Sequence, residues 1–130
     1  MSIWEEYDIE SKVRAILTDQ EYSIPNHHFG KPFMSGYQIA IEFAKRYPDV
    51  LEQLGYPIGG RGTGQQFSLS SYITGQLSTR INNGQITDIE GGFFSNLHLR
   101  DVVFKNRRTI IHSSLTGSEY DLSIYRVTQS

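Results

Sequence analysis

The chain has 130 residues, no cysteine and a formal net charge of −2, with 38% hydrophobic and 12% aromatic residues. This length predicts one domain spanning 1–130, and a large aromatic buries about 150–250 Å², so a core without staples is expected. The missing cysteines exclude disulfides, thiolate metal sites and cysteine nucleophiles. The acidic start and the lack of a long apolar run predict neither a signal peptide nor a membrane span, hence a cytoplasmic protein without a membrane partner.

Apolar residues at Ile9, Val13, Ile16 and Leu17 follow helical spacing, with Ser2 and Glu5 at capping-box spacing. They predict a helix over about 3–18, with Asp8 as a second possible cap. Residues 19–34 carry Pro25, Gly30 and Pro32 without a period and read as a long loop. It holds His27 and His28, the candidates for acid–base work. Neighbours in an extended segment point opposite ways, so the two would not share a metal, and no metal site is expected.

A second helix is predicted over 35–54, opened by a Ser35/Gln38 capping box and broken at Pro48. Gly55 is its expected C-cap. Five glycines then fall between 55 and 64. Gly59, Gly60, Gly62 and Gly64, with Arg61 and Thr63, could form a nest of inward N–H groups that binds an anion at the start of the next helix. This stretch follows a helix and lacks a Gly-Lys-Ser/Thr ending, so neither named phosphate motif applies. Charge changes sign here: residues 1–60 hold five Lys/Arg against nine Asp/Glu, and residues 61–130 hold seven against five.

Leu69, Ile73, Leu77 and Ile81 predict a third helix over 68–82 with a short polar opposite face. The period then approaches two. Strands are expected at 85–90, along 97–104, at 109–113 and along 120–125, with a bulge or bend at Gly91-Gly92 and a polar turn at Lys105–Arg108. Asp101 falls among Leu97, Leu99 and Val103, so it should either find a partner or be displaced outward. Phe93, Phe94, Phe104 and Tyr125 are many aromatics for one small core.

The expected fold is α+β: three main helices (3–18, 35–54 with the break, 68–82) packed on a C-terminal three- or four-stranded antiparallel β-meander. Helices, then a polar helix, then a hairpin resembles a winged helix in element order only. That order implies Gln76 and Arg80 as base or phosphate readers, and Lys105, Arg107 and Arg108 as a wing on the backbone. No catalytic triad or nucleophile elbow is present, and no cofactor is implied. The leading expectation is a non-enzymatic module that binds nucleic acid or protein. The alternatives are an enzyme or sensor for a small anion at Gly59–Gly64, and a structural homo-oligomer formed through a sheet edge.

Overall fold

The structure is a computed structural model that describes residues 2–24, 28–60, 68–113 and 121–128. Its chain begins with a turn of helix, α1 (Ile3–Glu6), where Ser2 Oγ accepts the Glu5 amide at 3.3 Å. The helix expected to run on to residue 18 is interrupted. Asp8 adopts a left-handed conformation (φ 49°, ψ 49°), and α2 (Ile9–Thr18) starts after it. Aspartate tolerates this region better than most residues. Lys12 Nζ donates to the Tyr7 carbonyl at 2.7 Å and satisfies an acceptor that the break frees. The interruption lets Trp4 enter the core separately from Ile9, Val13, Ile16 and Leu17 of α2.

The next elements follow local signals. A two-residue strand β1 (Met34–Ser35) runs into α3 (Gly36–Arg46). Ser35 Oγ accepts the Gln38 amide at 3.2 Å and the Gln38 side chain accepts the Ser35 amide at 2.7 Å, closing the capping box. Pro48 opens α4 (Pro48–Leu54), where its missing N–H costs no helical bond, and Gly55 caps it in the left-handed region at φ 72°. α5 (Leu69–Asn82) starts from Ser68, which exchanges capping bonds with Ser71.

The chain is α+β, with five helices and antiparallel sheets of three and two strands among the described residues. The strands are β2 (Ile89–Phe94), β3 (Val103–Asn106), β4 (Thr109–His112) and β5 (Leu122–Val127). Their connection differs from a simple meander. β5 lies between β1 and β2 in one sheet, and β3–β4 form a separate hairpin. Long-range register decides this, and period-two alternation alone does not encode it. Residues 85–88 precede the strand expected there, and Gly91 and Gly92 stay in register with Tyr125 and Ile124 without a bulge.

The alternation along 97–104 yields strand only from Val103. Side chains compete for the backbone before that point: Ser95 Oγ accepts the Leu97 amide at 3.1 Å, and Asp101 accepts the Val102 amide at 2.9 Å. The last expected strand forms as β5. Its Tyr125 points into the core, where the phenol meets Ser78 Oγ at 2.7 Å and donates to the Thr74 carbonyl at 3.3 Å, fastening the sheet to α5. Phe43, Ile39, Ile73, Leu77 and Ile89 complete the same core.

Candidate functional site

The Gly-rich stretch enters the structure as a packing junction. Pro57 and Ile58 carbonyls accept the Leu69 and Ser70 amides at 2.7 and 2.9 Å, so the chain leaving α4 seats the N-terminus of α5. Gly59 (φ 127°) and Gly60 (φ 109°) occupy backbone regions that side chains avoid. A Cβ on Gly59 would collide with Ser70 Oγ. A Cβ on Gly60 would stand 2.6 Å from Ile111 Cγ2 and 2.9 Å from the His112 carbonyl. These two glycines therefore allow the β3–β4 hairpin to close against the start of α5. Arg61, Gly62, Thr63 and Gly64 lie outside the described residues, as does His27.

On α5, Gln76 and Arg80 are engaged within the protein. Arg80 Nε donates to Gln76 Oε1 at 3.1 Å, Nη1 reaches Gln85 Oε1 at 3.4 Å, and the guanidinium lies over the Trp4 ring at 5.3 Å. Trp4 also approaches Tyr72, which in turn approaches Tyr56. Burial lifts the Tyr72 phenol above its ordinary value. Arg80 thus covers an aromatic cluster and does not extend freely from the helix.

The hairpin is built differently on its two faces. Strand pairing sets Phe104 opposite Ile111 and Asn106 opposite Thr109 on one face. Phe104 stacks on Tyr37 of α3 with centroids 5.3 Å apart, and Ile111 contacts the Gly60 position. The other face carries Val103 opposite His112 and Lys105 opposite Ile110, with Val103 51% and Ile110 59% exposed. Asp101 is turned outward and meets His112 Nδ1 at 2.9 Å, bracing the base of the hairpin. Ser113 N–H donates to the Val102 carbonyl at 2.8 Å and continues the pairing past His112. At the tip the chain reverses through Arg107, which is left-handed at φ 57°, and Arg108.

At the tip, cations gather without a carboxylate partner among the described residues. Arg14 bonds Asp88 at 2.7 and 3.0 Å and Glu10 at 3.1 Å. Those hydrogen bonds, the one to Asp88 foremost, raise the Arg14 guanidinium above its ordinary value and hold the Asp88 carboxyl below its own. Arg46 reaches Asp19 and Glu42, and Lys31 reaches Glu21. Arg126 pairs with Glu90, lies over the Phe33 ring at 4.3 Å and donates to the Phe29 carbonyl at 2.7 Å, pinning the 28–33 loop to β5. Among the described residues, Arg100, Lys105, Arg107 and Arg108 meet no carboxylate. All four are exposed.

No protein-family model, curated protein or solved structure matches this chain. His28 is exposed and meets the Phe29 ring edge-on at 4.4 Å. Among the described residues, no three His, Asp or Glu side chains group as metal ligands, and no helix is long and apolar enough to cross a membrane.

Two features were hard to read in advance. The Arg126 clamp depends on loop carbonyls far away in sequence and leaves no local signal. The aromatic surplus was legible, but not its distribution. Phe104 finds Tyr37 and Tyr125 is buried, whereas Phe93 and Phe94 remain exposed on β2.

Proposed function

We propose that this chain is a non-enzymatic module that grips the phosphate backbone of a nucleic acid through the β3–β4 hairpin. The observation that carries the reading is the exposed cationic tip, Lys105, Arg107 and Arg108, which meets no carboxylate among the described residues, on an arm whose other face is fixed to α3 by Phe104. Fixing one face holds the tip outward at no further ordering cost to the arm, and free guanidinium groups suit phosphate oxygens. The exposed Val103 and Ile110 beside Lys105 add apolar contact for sugar and base.

Backbone contact without base reading is the expected mode. Gln76 and Arg80, the side chains of α5 suited to base edges, are occupied by each other and by Trp4. Binding is therefore expected to be tolerant of sequence and steeply dependent on salt. The lack of cysteine fits a reducing, cytoplasmic setting for such a role.

Fluorescence anisotropy with short single- and double-stranded oligonucleotides of mixed sequence at low salt tests the proposal. Saturable binding of similar strength across sequences is expected. No binding at low salt overturns it. Equal affinity for polyglutamate would reassign the tip to an acidic protein partner.

A further inference from the structure

The outer face of the β3–β4 hairpin carries more than charge. Strand pairing sets Lys105 beside Ile110 and Val103 beside His112 on that face, with Arg107 and Arg108 at the turn beyond them. From tip to base the face thus passes from cations to two exposed aliphatic side chains, and then to the His112 ring. Asp101 meets His112 at Nδ1, and the imidazole side chain stays 39% exposed. A hydrogen bond at Nδ1 lies in the ring plane, so it orients the ring and does not occupy its flat faces.

We infer that this face makes the hairpin select single-stranded over duplex nucleic acid: the tip holds phosphates while unstacked bases lie on Ile110, Val103 and His112. The inference rests on the phosphate-binding reading of the tip and adds the form of the ligand. In a duplex the base faces cover one another, and the major groove presents polar edges with the thymine methyl as its apolar group. Val103 and Ile110 offer no donor or acceptor side chain to those edges. Pressing them there would strip water from polar atoms without replacing its hydrogen bonds. A single strand presents flat base faces, which stack on planar rings and tolerate any sequence.

The spacing of the face agrees with this. Two residues along a strand advance about 6.8 Å, twice the 3.4 Å rise between stacked bases. Neighbouring bases borne by the Lys105–Ile110 and Val103–His112 rows are therefore parted from one another, as a duplex does not allow.

Charge complementarity identifies the occupant. Lys105, Arg107 and Arg108 meet no carboxylate among the described residues, whereas Asp101 lies at the opposite end beside His112. Phosphates are drawn to the tip and repelled from the base, which leaves the base of the hairpin to the uncharged rings. Each nucleotide supplies one charge and one flat, weakly polar surface, matching both parts. An acidic peptide matches the tip but would lay charged side chains over Val103 and Ile110.

Competition anisotropy at one low salt concentration tests the inference, with a mixed-sequence DNA strand of about 12 nucleotides, the matching RNA strand and the blunt DNA duplex as probes. At least one single strand should bind about tenfold tighter than the duplex, and the tighter of the two assigns the sugar. Val103→Ser/Ile110→Ser, at exposed positions, should leave the circular dichroism spectrum unchanged. It should weaken the single strand several-fold without altering duplex affinity or the salt slope. His112→Ala should act in the same way, and His112→Phe, which keeps a ring, should restore binding. A duplex bound as tightly as both single strands, or a Val103→Ser/Ile110→Ser chain weakened equally on all probes, overturns the inference and leaves the phosphate grip standing. No binding of any probe overturns both.

Discussion

Arg14 and Arg46, on the helices, each reach two carboxylates, whereas Arg107 and Arg108, at the turn between β3 and β4, reach none among the described residues. The same contrast holds for apolar groups. The helices bury Trp4, Phe43, Leu69 and Leu77 almost completely, while Phe93, Phe94, Val103 and Ile110 on the strands stay in solvent. The helices bury their largest apolar side chains. The β3–β4 hairpin and the end of β2 leave charge and apolar surface exposed. Unused surface on an otherwise satisfied fold is where a partner gains most, because nothing internal must be broken to engage it.

Substitutions in the two regions should therefore fail in different ways. The largest loss is expected for Phe43→Ala, which removes a fully buried ring between α3 and the core. Urea unfolding should show about 3–5 kcal/mol of destabilisation. An effect under about 1 kcal/mol would mean that the core is not packed as described.

Gly60→Ala comes next and attacks the junction between the two regions. The added methyl meets Ile111 and the His112 carbonyl at a φ of 109°, so about 1–3 kcal/mol is expected. The loss should concentrate in the hairpin. Amides of β3 and β4 should exchange faster while those of α3 and α5 change little. Uniform loosening would show that the hairpin is not a separable arm.

The smallest effect concerns Asp88 on the helical side. Its carboxyl is held below its ordinary value by the bond from Arg14, so the folded state binds its proton more weakly than the unfolded chain does. This stabilisation is complete above the unfolded value near pH 4 and is lost as pH falls through the depressed folded value. The pair is exposed, so the contribution is at most about 1 kcal/mol. Asp88→Asn should remove that acid-limb slope from a series of urea midpoints. An unchanged slope would assign it to other groups.

The legible parts of this fold were those fixed within a few residues. Ser35 with Gln38, Pro48, Gly55 and Ser68 mark helix ends in the sequence, and the ends occur there, because a cap needs only its own turn. The break at Tyr7–Asp8 was legible only as a second possible cap at Asp8, since the apolar spacing of Ile9, Val13 and Ile16 is compatible with a helix that started earlier. Strand pairing was not legible either. β2 and β5 are far apart in sequence, and Gly91-Gly92 looked like a bend until β5 supplied a continuous partner.

Candidate binding residues divide along the same line. The basic run at 105–108 forms a turn locally, so its position at a tip could be read from the sequence. Arg80 looked available on a polar helix face. Only the folded chain brings Trp4 beneath it.

The central claim, that the hairpin tip is a phosphate-binding arm, is tested most directly by the salt dependence of oligonucleotide affinity. Three phosphate contacts to duplex DNA predict a slope of log K against log salt of about −3 for the parent chain. The double variant Arg107→Ala/Arg108→Ala should bind more weakly on every sequence and flatten that slope by about two. Its stability should stay within about 0.5 kcal/mol of the parent. A parent chain that binds without salt dependence, or a double variant with unaltered slope, would contradict the account.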